Sequence, residues 1–164
     1  MGSYKIKKGN HYSLHWPKFH FGETNIKFKF KFGAGCWYET VVPDDYAFNK
    51  LCGLGCGDHH KNSVRVGWCP AKDINRIDLV FYLYTNGQRV EQHFATVNLS
   101  QEYEIEIDLS SDLVSFNLTS NQESVAIDSI YYKLPWFRWG AILFPYIGGQ
   151  LPARANTYID LTII

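Results

Sequence analysis

The sequence predicts an all-β protein, an antiparallel β-sandwich or barrel of about ten short strands. Three observations carry this. Ile26-Lys27-Phe28-Lys29-Phe30-Lys31-Phe32 alternates apolar and charged residues without a break, the two-residue period of a half-buried strand. Asn86-Gly87 separates two β-favouring runs and reads as a two-residue hairpin turn. No stretch has a convincing helical period, and aromatic residues, which favour strands, make up 16% of the chain.

The chain has 164 residues, the size of one domain spanning residues 1–164. A chain of this length buries roughly 70% of its unfolded surface, enough for a core without a disulfide or a metal. A hydrophobic content of 46% argues against disorder. No internal repeat, low-complexity tract or linker divides it.

Along the chain, Ile26–Phe32 is the first strand, with Phe inward and Lys toward solvent or protecting an edge. Pro43–Lys61 has little periodicity and several Gly, Asp and His residues, and reads as one long loop of the kind that carries function. Ser63–Cys69 is a strand, Pro70–Asp73 a turn, and Asp73–Thr85 a long strand that returns as Gln88–Leu99. Glu102–Leu109 alternates again, its four acids forming a solvent face rather than a catalytic carboxylate pair. Leu113–Leu118 and Val125–Leu134 follow, then the tight aromatic stretch Pro135–Trp139, the apolar run Ala141–Ile147 and the closing strand Tyr158–Ile164.

The four cysteines are Cys36, Cys52, Cys56 and Cys69, with His59 and His60 among them. Zinc would use such ligands, but no second close pair follows Cys52 and Cys56. Free thiols are therefore expected, and no metal or cofactor is implied.

Two strings place chemistry on one sheet face. In Ser63-Val64-Arg65-Val66-Gly67-Trp68, Ser63 and Arg65 point opposite to Val64, Val66 and Trp68. In the next strand Tyr82 and Tyr84 share a face with Asp78, and Ile77, Leu79, Phe81 and Leu83 take the other. A face of Arg, Ser and paired Tyr has the chemistry of a sugar-binding cleft. The same residues also suit structural roles: Arg65 paired with Asp78 across strands, Tyr82 and Tyr84 capping a sheet edge, His59 and His60 as exposed loop residues.

The motifs fall in a telling order. Asn49-Lys50-Leu51-Cys52-Gly53-Leu54 precedes a Gly-rich stretch, then come Ser63-Val64-Arg65 and Tyr82-Leu83-Tyr84. Phe144-Pro145-Tyr146-Ile147-Gly148-Gly149 stands late, followed by Tyr158-Ile159-Asp160-Leu161. This order resembles the jelly-roll polysaccharide lyases that cleave alginate and glucuronan, viral alginate-type lyases among them, although Pro145-Tyr146-Ile147 departs from that family's late loop. The resemblance implies a concanavalin A-like jelly roll. It implies catalytic roles for Lys50, Arg65, Tyr82 and Tyr84 and a substrate contact for Ser63. Asn62, His59 and His60, beside them in the sequence, are read as further ligand contacts. Such a lyase must neutralise a uronate carboxylate, remove the C5 proton and protonate the leaving O4. Arg65 suits the first task, since a guanidinium grips a carboxylate with two hydrogen bonds. Lys50 or either tyrosine suits the others, the tyrosines only if cationic neighbours lower them from their usual value near 10. His59 or His60 is an alternative base.

Three function classes follow: recognition of an acidic polysaccharide without appreciable catalysis, a uronate polysaccharide lyase, and a virion or surface structural or adhesion protein. The implied partner is a glycan, with a homo-oligomer or virion assembly in the third class, where Trp136-Phe137-Arg138-Trp139 is either an assembly contact or part of the core. Sixteen basic and sixteen acidic residues leave zero net charge, so nucleic acid is not an expected partner. No run of about 18 apolar residues suggests a membrane span. The polar start Met1-Gly2-Ser3-Tyr4-Lys5 lacks a signal region. The expected location is cytoplasmic as synthesised, then virion-associated or released by lysis.

Overall fold

In the computed structural model, residues 2–16, 18–40, 47–131 and 139–164 are described. The expectations for Pro43, Asp44 and Asp45, for the end of the Val125–Leu134 run and for Pro135 to Arg138 lie outside the described residues. The strands are β1 (Gly2–Ile6), β2 (Lys18–Phe21), β3 (Asn25–Phe32), β4 (Asn49–Cys56), β5 (Ser63–Pro70), β6 (Arg76–Thr85), β7 (Gln88–Asn98), β8 (Tyr103–Asp108), β9 (Leu113–Ser120), β10 (Glu123–Tyr131), β11 (Trp139–Leu143) and β12 (Thr157–Ile163). They form two six-stranded antiparallel sheets, ordered β1-β12-β3-β8-β9-β10 and β2-β11-β4-β5-β6-β7. Packed face to face, they make a jelly-roll sandwich.

Alternation builds the core. Phe28, Phe30 and Phe32 of β3 are fully buried and meet the inward side chains of the other sheet. Phe32 lies 5.1 Å from Trp68 and Phe81 lies 4.3 Å from Phe116, centroid to centroid. The lysines between the β3 phenylalanines point outward into ion pairs, Lys27 with Glu104 at 2.6 Å and Lys31 with Asp160 at 3.1 Å. That explains both the Lys run and the Glu run as one solvated surface. An edge-protecting role for β3 is overturned, because β3 sits between β12 and β8 in mid-sheet.

The Asn86-Gly87 turn is present, with φ of 49° and 81°, and closes β6 onto β7 at Thr85 and Gln88. One expectation fails. The stretch 43–61 is not one long loop: Asn49–Cys56 is β4, an interior strand of the second sheet. Burial on both faces removed the polar alternation that marks a strand. Gly53 is there for close packing, since a Cβ on it would sit 2.0 Å from the Val64 carbonyl oxygen. Cys52 and Cys56 are therefore buried strand residues rather than loop ligands. β1 and β2 add strands where the sequence showed no clear signal.

Candidate functional site

The outer face of the second sheet carries the polar set. Register aligns Gly53, Arg65 and Tyr82 in one row and Gly55, Ser63 and Tyr84 in the next, and directly paired residues share a face. Beyond β6, Tyr82 pairs with Glu91 and Tyr84 with Arg89 of β7. Lys50 comes from the start of β4, and a register shift at Leu51 lets Lys50 and Gly53 point the same way.

The late segment closes over this row. Lys50 and Tyr146 exchange backbone hydrogen bonds of 2.8 and 3.0 Å, and the Gly148 N–H donates to Asn49 Oδ1 at 2.9 Å. A Cβ on Gly148 would meet the Phe48 carbonyl oxygen at 2.1 Å and Lys50 Nζ at 2.7 Å, so only glycine fits so close to the lysine. The turn before β5 adds the imidazoles, His59 and His60 with ring centroids 4.1 Å apart.

The result is a cleft of about 320 Å³ lined by Lys50, His59, His60, Arg65, Tyr82, Tyr84, Tyr146 and Gly149. A second lobe of about 250 Å³ shares Lys50, Tyr82 and Gly149 and adds Arg89 and Glu91. Lys50 and Tyr82 thus line both.

Lys50 Nζ lies 4.6 Å from the Tyr82 ring centroid and 5.9 Å from that of Tyr146, and donates to the Phe48 carbonyl at 2.8 Å. Burial, with Arg65 nearby, lowers its pKa to about 8. Arg65 is only 8% exposed, and its Nε is buried with no hydrogen-bond partner among the described residues. The pairing with Asp78 does not form: Asp78 accepts from Thr96 Oγ1 at 2.6 Å and lies 3.4 Å from His93. The Tyr82 and Tyr84 hydroxyls are 3.5 Å apart. Burial, reinforced by that contact, pushes Tyr82 up to about 12 despite the hydrogen bond from Arg89. The expectation that cations lower this tyrosine is thus reversed at Tyr82, because lost hydration outweighs the guanidinium. Burial, with Arg65 and His60 beside it, lowers His59.

Six of the sequence-derived residues meet in the cleft: Lys50, His59, His60, Arg65, Tyr82 and Tyr84. Two do not line it. Ser63 stands on this face, in the row of Tyr84, but is fully buried. Asn62 accepts the Asn86 N–H through Oδ1 at 3.2 Å, bracing the β6–β7 turn. Tyr146, Arg89 and Glu91 were missed. Tyr146 lies in the late motif already quoted, and Arg89 and Glu91 alternate on the strand following Asn86-Gly87, so the hairpin register would have placed them opposite Tyr84 and Tyr82. Among the described residues no group of His, Cys, Asp and Glu is arranged to hold a metal ion.

No protein-family model matches the sequence, and no curated protein matches it. Solved structures do. A functionally unknown protein from Saccharomyces cerevisiae superposes with a TM-score of 0.61 at 7% identity, over 99% of this chain and 86% of its own. Alginate lyase vAL-1 from Chlorella virus gives 0.57 at 13% identity, over 98% and 81%. The CBM2 module of the evolved Dit of Lactobacillus casei BL23 phage J-1 gives 0.50 at 14% identity, over 98% and 74%. At such identities the likeness establishes a shared architecture: this chain has the jelly-roll fold that alginate lyases also use.

Proposed function

We propose that the groove binds an acidic, uronate-containing polysaccharide and cleaves it by β-elimination. The observation that carries this reading is Arg65, a buried guanidinium with an unsatisfied Nε and, among the described residues, no carboxylate within ion-pair distance. A buried charge without a counterion is costly, and a substrate carboxylate supplies the missing partner through two parallel hydrogen bonds. Lys50 and Arg89 add positive charge along the groove, and among the described lining residues Glu91 is the one carboxylate.

In this reading Arg65 withdraws charge from the C6 carboxylate, which acidifies the C5 proton. Lys50, brought to about 8 by burial, takes that proton in its neutral form. The C5–H electrons form the C4=C5 double bond as the C4–O4 bond breaks. Tyr82, held protonated at neutral pH by a pKa near 12, donates its proton to O4. Lys50 then returns a proton to Tyr82, whose ring it overlies. The structural neighbour named as an alginate lyase lends support at the level of fold alone.

A second reading, recognition without cleavage, is favoured by the Lys50 hydrogen bond to the Phe48 carbonyl, which favours the charged amine. One experiment separates the two. Purified protein is mixed with alginate, polyglucuronate and other uronate polymers, and the ultraviolet absorbance of the unsaturated product is followed. A rising signal lost in Arg65→Ala supports cleavage; saturable binding without product supports recognition only.

A further inference from the structure

The polar cleft covers only part of its sheet face. Register carries the same face across two more strands: Ala141 and Leu143 of β11 pair with Gly55 and Gly53, while Phe21 and Phe19 of β2 pair with Trp139 and Ala141. The side chains in between confirm the direction. A Cβ on Gly55 would meet His59 Cβ at 2.9 Å and Leu143 Cδ1 at 3.1 Å, and His20, between the two phenylalanines, turns inward and is 1% exposed. Phe19, Phe21 and Trp139 therefore stand on the outer face, and they are 66%, 78% and 57% exposed. Burial of Trp139 in the core, one of the two sequence-based readings for that segment, is overturned.

The geometry points to Phe19, Phe21 and Trp139 as a stacking platform for sugar rings of the same uronate chain, remote from the reacting bond. This rests on the function proposed above and adds where the polymer runs. Three features favour this occupant. First, the platform shares its sheet face with the cleft. From Arg65 the register row runs through Gly53 and Gly55, the latter covered by His59 and Leu143, to Ala141 and Leu143, so cleft and aromatics lie on one sheet face with the His59 side chain between them. Second, three strand steps separate β5 from β2, roughly 14 Å, and a 1,4-linked pyranose chain crossing the strands advances about one ring per step. Third, the strip of Ala141, Leu143, Trp139, Phe19 and Phe21 holds no charge, so it suits the C–H faces of sugar rings rather than their carboxylates.

The test uses the full chain and dimers and hexamers of mannuronate, guluronate and glucuronate, with affinity read by calorimetry. Wild type is compared with Phe21→Ala, Trp139→Ala and Phe21→Trp, and each is checked by sedimentation. In the two alanine variants, affinity for the hexamer is expected to fall about tenfold, with dimer affinity unchanged and Phe21→Trp retaining tight hexamer binding. Equal hexamer binding in wild type and alanine variants overturns the platform and leaves the cleft reading standing. No binding of any of the three uronates to wild type overturns both. A wild-type dimer that Phe21→Ala dissociates assigns the face to a second copy and overturns the platform.

Discussion

Lys50 Nζ stands 4.6 Å from the centre of the Tyr82 ring, which joins an ammonium of lowered pKa to a tyrosine of raised pKa in one contact. Both shifts have burial as their first cause. Removing water disfavours the charged form of each, so neutral Lys and neutral Tyr become accessible near neutral pH. A proton acceptor and a proton donor are thereby set side by side, beside the guanidinium that would hold the substrate's carboxylate.

Arg65→Met separates function from stability. Removal of the guanidinium deletes the carboxylate contact, and uronate affinity is expected to fall about a hundredfold, measured by calorimetry. The melting temperature is expected to hold or rise, because a buried cation without a counterion is replaced by an apolar side chain of similar length. A large drop in melting temperature would give Arg65 a structural role instead.

Lys50 makes stability depend on pH in a defined direction. Its pKa is about 8 in the folded protein, against about 10.4 unfolded. Between these values the unfolded chain binds more protons, so this group's contribution to stability rises with pH across that window and is at its minimum below it. Lys50→Met is expected to melt above wild type at pH 7, with the difference shrinking toward pH 10. The cleavage rate of wild type is expected to rise with pH and level off above about 8.

Tyr82→Phe keeps the ring under Lys50 and removes only the hydroxyl. Its expected effect is a loss of roughly 10²–10⁴ in kcat with little change in KM, as for a lost proton donor. Tyr84→Phe removes the contact that reinforces the raised pKa of Tyr82, so it is expected to shift the alkaline limb of the pH–rate profile to lower pH. Equal, pH-independent losses in both variants would contradict this division.

Gly148→Ala tests the late segment. Its Cβ would collide with the Phe48 carbonyl oxygen, a backbone atom that cannot swing away. The segment must shift, which costs about 1–3 kcal/mol of stability. It also uncovers Lys50, so the acidic limb of the pH–rate profile is expected to move upward, toward the ordinary lysine value.

The fold was legible where one face is buried and the other wet. The alternation of Phe28–Lys31 and of Tyr103–Asp108 predicted strands because the Lys and Glu between the core residues reach solvent and pair there. Asn86-Gly87 was legible because a left-handed turn demands such residues. β4 was not, since Gly53, Gly55, Cys52 and Cys56 are buried without alternating. The cleft was legible in Arg65, Tyr82 and Tyr84, whose period-two spacing sets them on one face. Tyr146 was not, because it joins Lys50 through an isolated bridge between residues more than half the chain apart. Asn62 was misleading, as its position beside Ser63 says nothing of the turn it braces.

The most direct measurement is the ultraviolet absorbance of the unsaturated uronate formed by wild type, Arg65→Met and Lys50→Arg on alginate and polyglucuronate. The account predicts a steady rise with wild type on at least one polymer and no rise with either variant. Wild type that forms no unsaturated product on any uronate polymer, or Lys50→Arg that forms it at the wild-type rate, would contradict it.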